Sequence, residues 1–254
     1  MIIVAGITSW HCSSLKKINL FSIEDDKNLG LQVSNEIQSA SSQYPLLPEH
    51  GNEEVYRYIR NITNNILNSG TVKHKDDFVW QVKIINDPET LNAFATPGGY
   101  IYVYTGLIKF LDTEDQLAGV MGHEIAHADL RHSTRQMTSS YGVSTLLSIA
   151  TGNASQGAVQ QVLSGLTSLK FSRNHETEAD TYSVNYLCNT KYDAAGAAGF
   201  FKKIAGSSST PEFLSTHPDS GDRVKNIEAK AAAKTCKAST TNVTEHNRIK
   251  QLLK

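Results

Sequence analysis

The chain has 254 residues, enough for one sizeable domain or two small ones, and its apolar and charged fractions are ordinary for a soluble globular protein. Its formal net charge of −1 provides no global field that attracts nucleic acid or an anionic membrane, so we expect no nucleic-acid partner. No segment reaches the roughly 18 consecutive apolar residues of a membrane-spanning helix, so we expect no span in the body of the chain.

The first 20 residues are predicted to be a signal or lipoprotein remnant. Residues 1–7 form a short apolar run that lacks the basic region of a secretory signal, and Cys12 follows this run. The arrangement is compatible with a lipoprotein signal in which Cys12 is acylated, although Ser9-Trp10-His11 is a poor cleavage box.

Hydrophobic periodicity and turn signals predict many helices and a small sheet. Apolar residues at helical spacing predict two N-terminal helices, and alternating β-branched and aromatic residues predict two strands. The predicted elements are helices over 23–41 and 53–67, strands over 78–85 and 100–104 separated by a turn at 97–99, and an almost continuous helical region from 106. This helical region is interrupted by breaks near 151–157 and 206–211 and is followed by a polar tail over 237–254. The predicted fold class is α+β, mostly helical, with a small antiparallel or mixed sheet.

The run His123-Glu124-Ile125-Ala126-His127 carries the strongest chemical signal in the chain. Positions four apart on a helix differ by about 40° in azimuth and 6 Å in rise, so both histidines project from one face. Two imidazoles so placed can bind one metal ion, and Glu124 beside them can accept the proton of an attacking water. The apolar residues around them predict a largely buried helix, on which unpaired polar groups are costly.

The third ligand is not a downstream histidine of the metzincin type. That pattern requires glycine at 130 and histidine at 133, whereas this chain has Leu130 and places His132 one position short. The acidic cluster at 174–180 offers a carboxylate instead. The helix faces favour Glu176 over Glu178, with Asp180 one turn later able to hydrogen-bond a ligand histidine.

Two further points follow from these motifs. His175 and Glu178 are predicted to be solvated. A di-iron site of the four-helix type requires a second Glu-x-x-His unit, which the sequence lacks.

Four stretches taken together resemble the M48-type zinc metallopeptidases, a family with soluble, exported or membrane-associated bacterial members and mitochondrial inner-membrane relatives. The stretches are NAFATPGGYIYV at 92–103, GHEIAH at 122–127, ETEAD at 176–180, and STHP at 215–218 with Arg223. The resemblance extends over about residues 20–235, so we expect a zincin-type peptidase domain over 21–236.

The resemblance implies one Zn²⁺ per chain, held by His123, His127 and Glu176. His217 is expected either to stabilise the oxyanion of the reaction or to act as a fourth ligand in a resting form, with Arg223 sharing that task or holding His217 in place.

The resemblance also implies an active-site edge strand that pairs with extended substrates, with Gly98, Gly99, Tyr100 and Tyr102 as substrate-binding residues. Plain sheet packing is the alternative role for the tyrosines. The polar segment 133–170, which replaces the spanning helices of the family's membrane-embedded branches, is predicted to be a mobile cover over the cleft.

The function expected from the resemblance is an endopeptidase that acts on polypeptide substrates, namely misfolded or extended envelope proteins. The alternative is a chaperone-like assembly factor that keeps the zinc fold and rarely cuts. The expected location is the periplasm or cell envelope, with peripheral or lipid-anchored membrane association through Cys12.

The three cysteines do not form a Cys-based zinc site, because no two lie at ligand spacing. In an oxidising compartment Cys188 and Cys236 are able to pair and leave Cys12 over. Two buried free thiols are the alternative.

Overall fold

The structure is a computed structural model that describes residues 19–206, 211–218, 222–237, 239–240 and 243–253. The helices are α1 (Ile23–Ser39), α2 (Glu53–Leu67), α3 (Thr105–Phe110), α4 (Glu114–Asp129), α5 (His132–Tyr141), α6 (Val143–Ala150), α7 (Gln156–Thr167), α8 (Arg173–Cys188), α9 (Gly196–Ala205), α10 (Glu212–Thr216), α11 (Arg223–Ala232) and α12 (Val243–Leu252). The strands are β1 (Gln81–Ile85), β2 (Ala93–Thr96) and β3 (Tyr100–Tyr104), and a 3-10 turn covers Pro97–Gly99.

This mostly helical fold with a small mixed sheet confirms the predicted α+β class. Among the described residues, no helix combines the length and apolar character needed to cross a bilayer. The predicted signal remnant with Cys12, and most of the predicted break at 206–211, lie outside the described residues.

The two N-terminal helices form where the sequence predicts them. Ser22 caps α1 because its hydroxyl accepts a hydrogen bond from the backbone N–H of Asp25 at 3.0 Å, while the Asp25 carboxylate accepts from the N–H of Ser22 at 2.8 Å. The apolar stripe of α2, with Val55, Ile59 and Ile62, is completely buried. α1 ends at Ser39, two residues before the predicted end, and α2 has the predicted bounds.

The sheet has the order β1-β3-β2, with β1 parallel and β2 antiparallel to β3. The predicted strand over 78–85 begins only at Gln81, because Trp80 has a φ of 48° that interrupts extended backbone. β2 was not predicted as a strand. Its four residues are too short for period-2 alternation to stand out.

The expectation that the strand after Pro97-Gly98-Gly99 is an edge strand was wrong. β3 is the central strand and forms backbone ladders on both sides, so it has no free edge for a substrate. Tyr100 and Tyr102 are 6% and 0% exposed and pack in the core. The plain packing role therefore applies to both tyrosines in this structure, in place of the predicted substrate contact.

The two glycines of the turn have a structural role. Gly98 and Gly99 have φ values of 75° and 88°, which L side chains rarely adopt. A Cβ at Gly98 would lie 2.8 Å from the Cα of Lys27 in α1, and one at Gly99 would lie 3.0 Å from the backbone nitrogen of Trp80. The turn packs between these two backbones because it has no side chain there.

The alternation of β3 divides the core into two clusters, one on each face of the sheet. Ile101 and Val103 pack with α2, α4, α8 and α9, whereas Tyr100 and Tyr102 pack with α1, α6 and α7. The segment 133–170 forms α5 to α7 and contributes buried residues to the second cluster. Its predicted mobility as a cover stays a prediction.

The C-terminal residues do not form the polar tail that the sequence predicts. α12 places the side chains of His246 and Ile249 at 0% exposure, and Leu253 joins the first core cluster. The buried His246 ring has polar partners on both sides: its Nδ1 lies 2.8 Å from the hydroxyl of Tyr58, and its Nε2 lies 3.1 Å from the carbonyl oxygen of Leu111. The few apolar residues of this segment are enough to dock it.

Cys188 and Cys236 form a disulfide between positions 48 apart in the sequence. The bond joins the C-terminal end of α8 to the segment after α11. It therefore ties together two helices that also meet at the candidate site.

We expect the double substitution Cys188→Ser and Cys236→Ser to lower the free energy of unfolding by about 2–4 kcal/mol, because the crosslink restricts the unfolded chain. Urea unfolding followed by circular dichroism measures this difference. A reductant should destabilise the wild-type protein by a similar amount and leave the double variant unchanged. Equal stability of all three samples would contradict the expectation.

Candidate metal centre

α4 carries the two histidines of the HExxH run on one face and buries them. Thr113 caps the helix by accepting a hydrogen bond from the backbone N–H of Gln116 at 3.2 Å. His123, Glu124 and His127 are at most 1% exposed. The burial depends on close helix packing, which two glycines of α4 permit.

Those glycines are Gly119 and Gly122. A Cβ at Gly119 would lie 2.0 Å from the backbone nitrogen of Ala197 in α9, and one at Gly122 would lie 2.8 Å from the hydroxyl of Ser183 in α8. The hydroxyl of Ser183 donates a hydrogen bond to the carbonyl oxygen of Gly119 at 3.0 Å. Small residues therefore let α8 and α9 approach the backbone of α4.

Glu176, in the first turn of α8, faces both histidines. Its Oε2 lies 3.5 Å from the Nε2 of His123, and its Oε1 lies 3.4 Å from the Nε2 of His127. The two Nε2 atoms are 3.0 Å apart. Ligands at 2.0–2.1 Å from a tetrahedral ion are roughly 3.3 Å from each other, so these three spacings are those of a tetrahedral metal site.

The structure thus brings Glu176 to the histidines and keeps Glu178 out of the group. The group that can hold a metal ion comprises His123, His127, Glu176 and His217, with one ligand atom of each within 4.8 Å of all the others. Nothing in the local spacing of the sequence locates His217 here. Only the family resemblance pointed to it.

Asp180 and Arg223 support the ligands from behind. The carboxylate of Asp180 accepts a hydrogen bond from the Nδ1 of His123 at 2.9 Å, which directs the Nε2 of that ring toward the site. Arg223 donates to both oxygens of Asp180, from Nε at 2.9 Å and from Nη2 at 2.6 Å. Its Nη1 lies 3.1 Å from the Oε2 of Glu176. Arg223 therefore contacts the acidic pair, and its expected role in assisting or holding His217 stays a prediction.

The buried charges shift the ionisation of the site. Burial alone would raise the pKa of Glu176, but neighbouring His217, His123 and His127 hold that pKa well below its usual range. Burial disfavours the charged form of His123 as well, yet the hydrogen bond to Asp180 and the proximity of Glu176 raise its pKa to about 9. Burial lowers the pKa of His127 to about 4.

Burial also raises the pKa of Glu124, to about 8. The backbone amide of Ala95, in the edge strand β2, faces this carboxylate and acts in the opposite direction. The sequence reasoning missed Ala95 because it placed the sheet edge at β3. Its only sequence signal is its place within the stretch 92–103.

His217 directs its Nε2 into the site. Its Nδ1 donates a hydrogen bond to the carbonyl oxygen of Phe213 at 3.2 Å and lies 2.9 Å from the hydroxyl of Thr216. Burial lowers the pKa of His217 well below its usual value, so the ring is neutral and its Nε2 carries a lone pair. That Nε2 lies 3.4 Å from the Oε1 of Glu124. A lone pair fits the fourth-ligand alternative, since an oxyanion donor requires a proton on Nε2.

Two aromatic rings close over the group. The ring centroid of Phe171 lies 4.0 Å from that of His127, and Phe213 stacks on His217 at 4.2 Å. The backbone N–H of Phe171 donates to the carbonyl oxygen of Thr216 at 3.2 Å and so joins the two covering segments. In this conformation the site is closed to a peptide.

The donor set fits a divalent metal ion. Both carboxylate oxygens of Glu176, the Oε1 of Glu124 and the Nε2 of His217 are buried without a well-aligned hydrogen bond, and the Oε2 of Glu176 has only the ionic contact with Arg223 at 3.1 Å. The Nε2 atoms of His123 and His127 lie 3.0 Å apart, a distance that fits either a hydrogen bond between the two rings or a metal ion bound by both lone pairs. Two imidazoles and a carboxylate are ligands that Zn²⁺ accepts in catalytic sites.

Comparison with known proteins gives relatives of the same kind. The mitochondrial metalloendopeptidase OMA1 of Schizosaccharomyces pombe is 29% identical over 223 residues, which cover 85% of this chain and 64% of that protein. Metalloprotease YcaL of Escherichia coli is 27% identical over 241 residues, or 92% of this chain and 88% of YcaL. The beta-barrel assembly-enhancing protease of Escherichia coli is 33% identical over 151 residues, or 53% of this chain and 31% of that protein.

This chain thus spans 64% of the length of the first of these relatives and about a third of the last. The description Peptidase family M48 matches residues 53–231, well over half of the chain, and this range contains the HExxH helix, the carboxylate helix α8 and His217. The chain therefore belongs to the metallopeptidase family M48.

Proposed function

We propose that the protein is a zinc-dependent endopeptidase that hydrolyses peptide bonds in misfolded or extended envelope proteins. The observation that carries the proposal is the convergence of His123, His127 and Glu176 at the spacing of a tetrahedral site, with Glu124 beside them. Such a site leaves one coordination position for a water or a substrate carbonyl when His217 withdraws, as catalytic zinc sites require.

Glu124 is the general base of the proposed reaction. A zinc ion held by the two imidazoles and Glu176 would supply Lewis acidity and lower the pKa of a water molecule toward 7. Glu124 accepts the proton of the attacking water and delivers it to the amine nitrogen of the leaving group. Burial raises the pKa of Glu124, and the positive charge of a zinc ion held beside it would oppose this shift and favour the ionised carboxylate that accepts the proton.

In this proposal the substrate pairs with β2 rather than with β3. β2 is an edge strand whose Ala95 faces Glu124, and it is buried in this closed conformation, where the hydroxyl of Ser133 donates to the carbonyl oxygen of Ala95. In an open form, an extended polypeptide that adds to this edge would pass beside the proposed base. Main-chain pairing selects for extended or unfolded chains and tolerates many side chains. This property suits an enzyme that removes misfolded proteins.

The proposed location is the periplasm or the cell envelope. The Cys188–Cys236 disulfide is typical of an oxidising compartment. One relative bears the name beta-barrel assembly-enhancing protease, which refers to an assembly process of envelope proteins. Anchoring through a lipid on Cys12 is part of the same proposal and concerns residues outside those that the structure describes.

We expect Glu124→Gln to lower the rate of cleavage of an unfolded casein by about 10²–10⁴-fold, because the amide cannot take up the proton of the attacking water. The variant should retain zinc, since Glu124 is not among the proposed ligands. Elemental analysis of the purified protein provides this control. Equal cleavage by both proteins would contradict the catalytic role of Glu124. Zinc-loaded wild-type protein that cleaves no substrate would favour a chaperone-like role for the same zinc fold.

Zinc binding should become tighter as the pH rises through the pKa of His123, about 9, and then level off. Below that pH the ring is protonated in the metal-free protein, so zinc must displace the proton, and each pH unit costs up to about tenfold in affinity. Competition with a chromophoric chelator at several pH values measures this slope, and calorimetry in buffers of different ionisation enthalpy counts the protons released.

Asp180→Asn is the matched control for this titration. Because Asp180 raises the pKa of His123, its neutralisation should move the plateau to lower pH. An affinity of the wild-type protein that does not change between neutral pH and pH 9 would exclude the assigned ionisation of His123.

A further inference from the structure

His127 has polar neighbours on the side of its ring that faces away from the site. Its Nδ1 lies 3.1 Å from the Nδ1 of His132, and the Nε2 of His132 lies 3.1 Å from the Oε2 of Glu178. His132 is fully buried, whereas the side chain of Glu178 is 43% exposed. The three residues thus form a continuous chain of hydrogen bonds from a proposed metal ligand to the protein surface.

The turn between α4 and α5 holds His132 in this place. Arg131 has a φ of 58°, a left-handed conformation that reverses the backbone so that α5 starts at His132. The guanidinium of Arg131 pairs with the buried Asp26 of α1 and donates to the carbonyl oxygen of Phe21 at 2.6 Å. Asp26 also accepts from the hydroxyl of Thr134 at 2.7 Å. α1 therefore fixes the turn that directs His132 at His127.

The carboxylate of Glu178, at the end of this chain of hydrogen bonds, determines which nitrogen of each histidine ring carries a proton. An ionised carboxylate only accepts hydrogen bonds, so the Nε2 of His132 must be the donor to Glu178. A metal ion on the Nε2 of His127 leaves the proton of that ring on Nδ1, so the Nδ1 of His132, which lies 3.1 Å away, must present a lone pair. That lone pair accepts the Nδ1–H of His127, which leaves the Nε2 of His127 unprotonated and directed at the other ligands.

We propose that His132 and Glu178 are positioning residues that hold His127 as the Nδ1–H tautomer and so orient its Nε2 lone pair toward the metal ion. The inference rests on the proposed metal site. Each ligand histidine then has a carboxylate behind it. Asp180 contacts His123 directly, and Glu178 supports His127 through His132. Support of this kind is typically worth 10–100-fold in metal affinity.

The first test compares two substitutions at His132 by the zinc affinity of the full-length protein in competition with a chelator. His132→Leu removes the acceptor and should weaken zinc binding by about 10–100-fold. His132→Asn keeps an amide oxygen near the position of Nδ1 and should restore most of the affinity. Glu178→Ala should cause a smaller loss than His132→Leu, because water can replace a carboxylate at the surface.

His175→Leu is the matched control. The ring of His175 stacks on that of His132 with centroids 4.3 Å apart and an angle of 12°, yet it is not a member of the chain. Its removal should leave the zinc affinity unchanged. Equal losses in His132→Leu, His132→Asn and His175→Leu would mean that packing is responsible and would overturn the proposal, as would wild-type affinity in His132→Leu.

A second test does not depend on any variant that has to fold. In the zinc-loaded wild-type protein with ¹⁵N-labelled histidine, long-range nitrogen–proton spectra report which nitrogen of each ring is protonated. We expect a proton on the Nε2 of His132 and on the Nδ1 of His127. The opposite tautomer of His132 would overturn the proposal.

Failure of the inference is distinguishable from failure of the proposed function. If the wild-type protein binds no zinc, or if His123→Ala binds it as tightly as the wild type does, the metal site is absent and both proposals fail. If zinc binding depends on His123 but His132→Leu binds zinc with wild-type affinity, only the positioning role is excluded.

Discussion

Three carboxyl groups, those of Glu124, Glu176 and Asp180, are withdrawn from water beside one guanidinium, that of Arg223. Burying an ion without adequate compensation costs several kcal/mol, so this cluster of negative groups is the most demanding feature of the fold. A divalent cation among the ligand atoms offsets the excess negative charge. α4, α8 and α11 meet at this cluster, and a cation bound there would stabilise their packing.

The packing brings together elements that are far apart in the chain. α4 supplies the histidines, α8 supplies two of the carboxylates, and α11 begins with Arg223. Gly119 and Gly122 remove the side chains that would otherwise separate α4 from its neighbours. The Cys188–Cys236 bond holds α8 and the segment after α11 at the opposite end. Metal binding and folding are coupled in such an arrangement, because the ligands are assembled only in the packed state.

Local periodicity was sufficient to predict the metal-binding helix, both N-terminal helices and the α+β class. Helix geometry alone places His123 and His127 on one face, and the same argument favoured Glu176 over Glu178. Side chains that lie within about one turn of the same helix can be assigned to a common face from their spacing in the sequence. The correct bounds of α2 have the same origin, an apolar stripe with the period of a helix.

Contacts between distant segments could not be derived in this way. The strand order β1-β3-β2, which puts β3 in the centre and β1 and β2 at the edges, depends on how four residues pair across a turn. His132 had the wrong spacing for a ligand, and Glu178 was expected to be solvated, yet they meet across 46 positions behind His127. α12 packs against the core through a few buried residues such as Ile249. The polar residues around them give no clear apolar pattern in the sequence.

The closure of the site by Phe171 and Phe213 has a consequence for how the enzyme would behave in a cell. A catalyst whose reactive groups are sealed in its resting form works only during the fraction of time in which the seal is broken. Its apparent rate on every substrate is the intrinsic rate multiplied by that fraction. If the protein acts as proposed, it would be inert toward surrounding proteins for as long as the two aromatic rings remain in place.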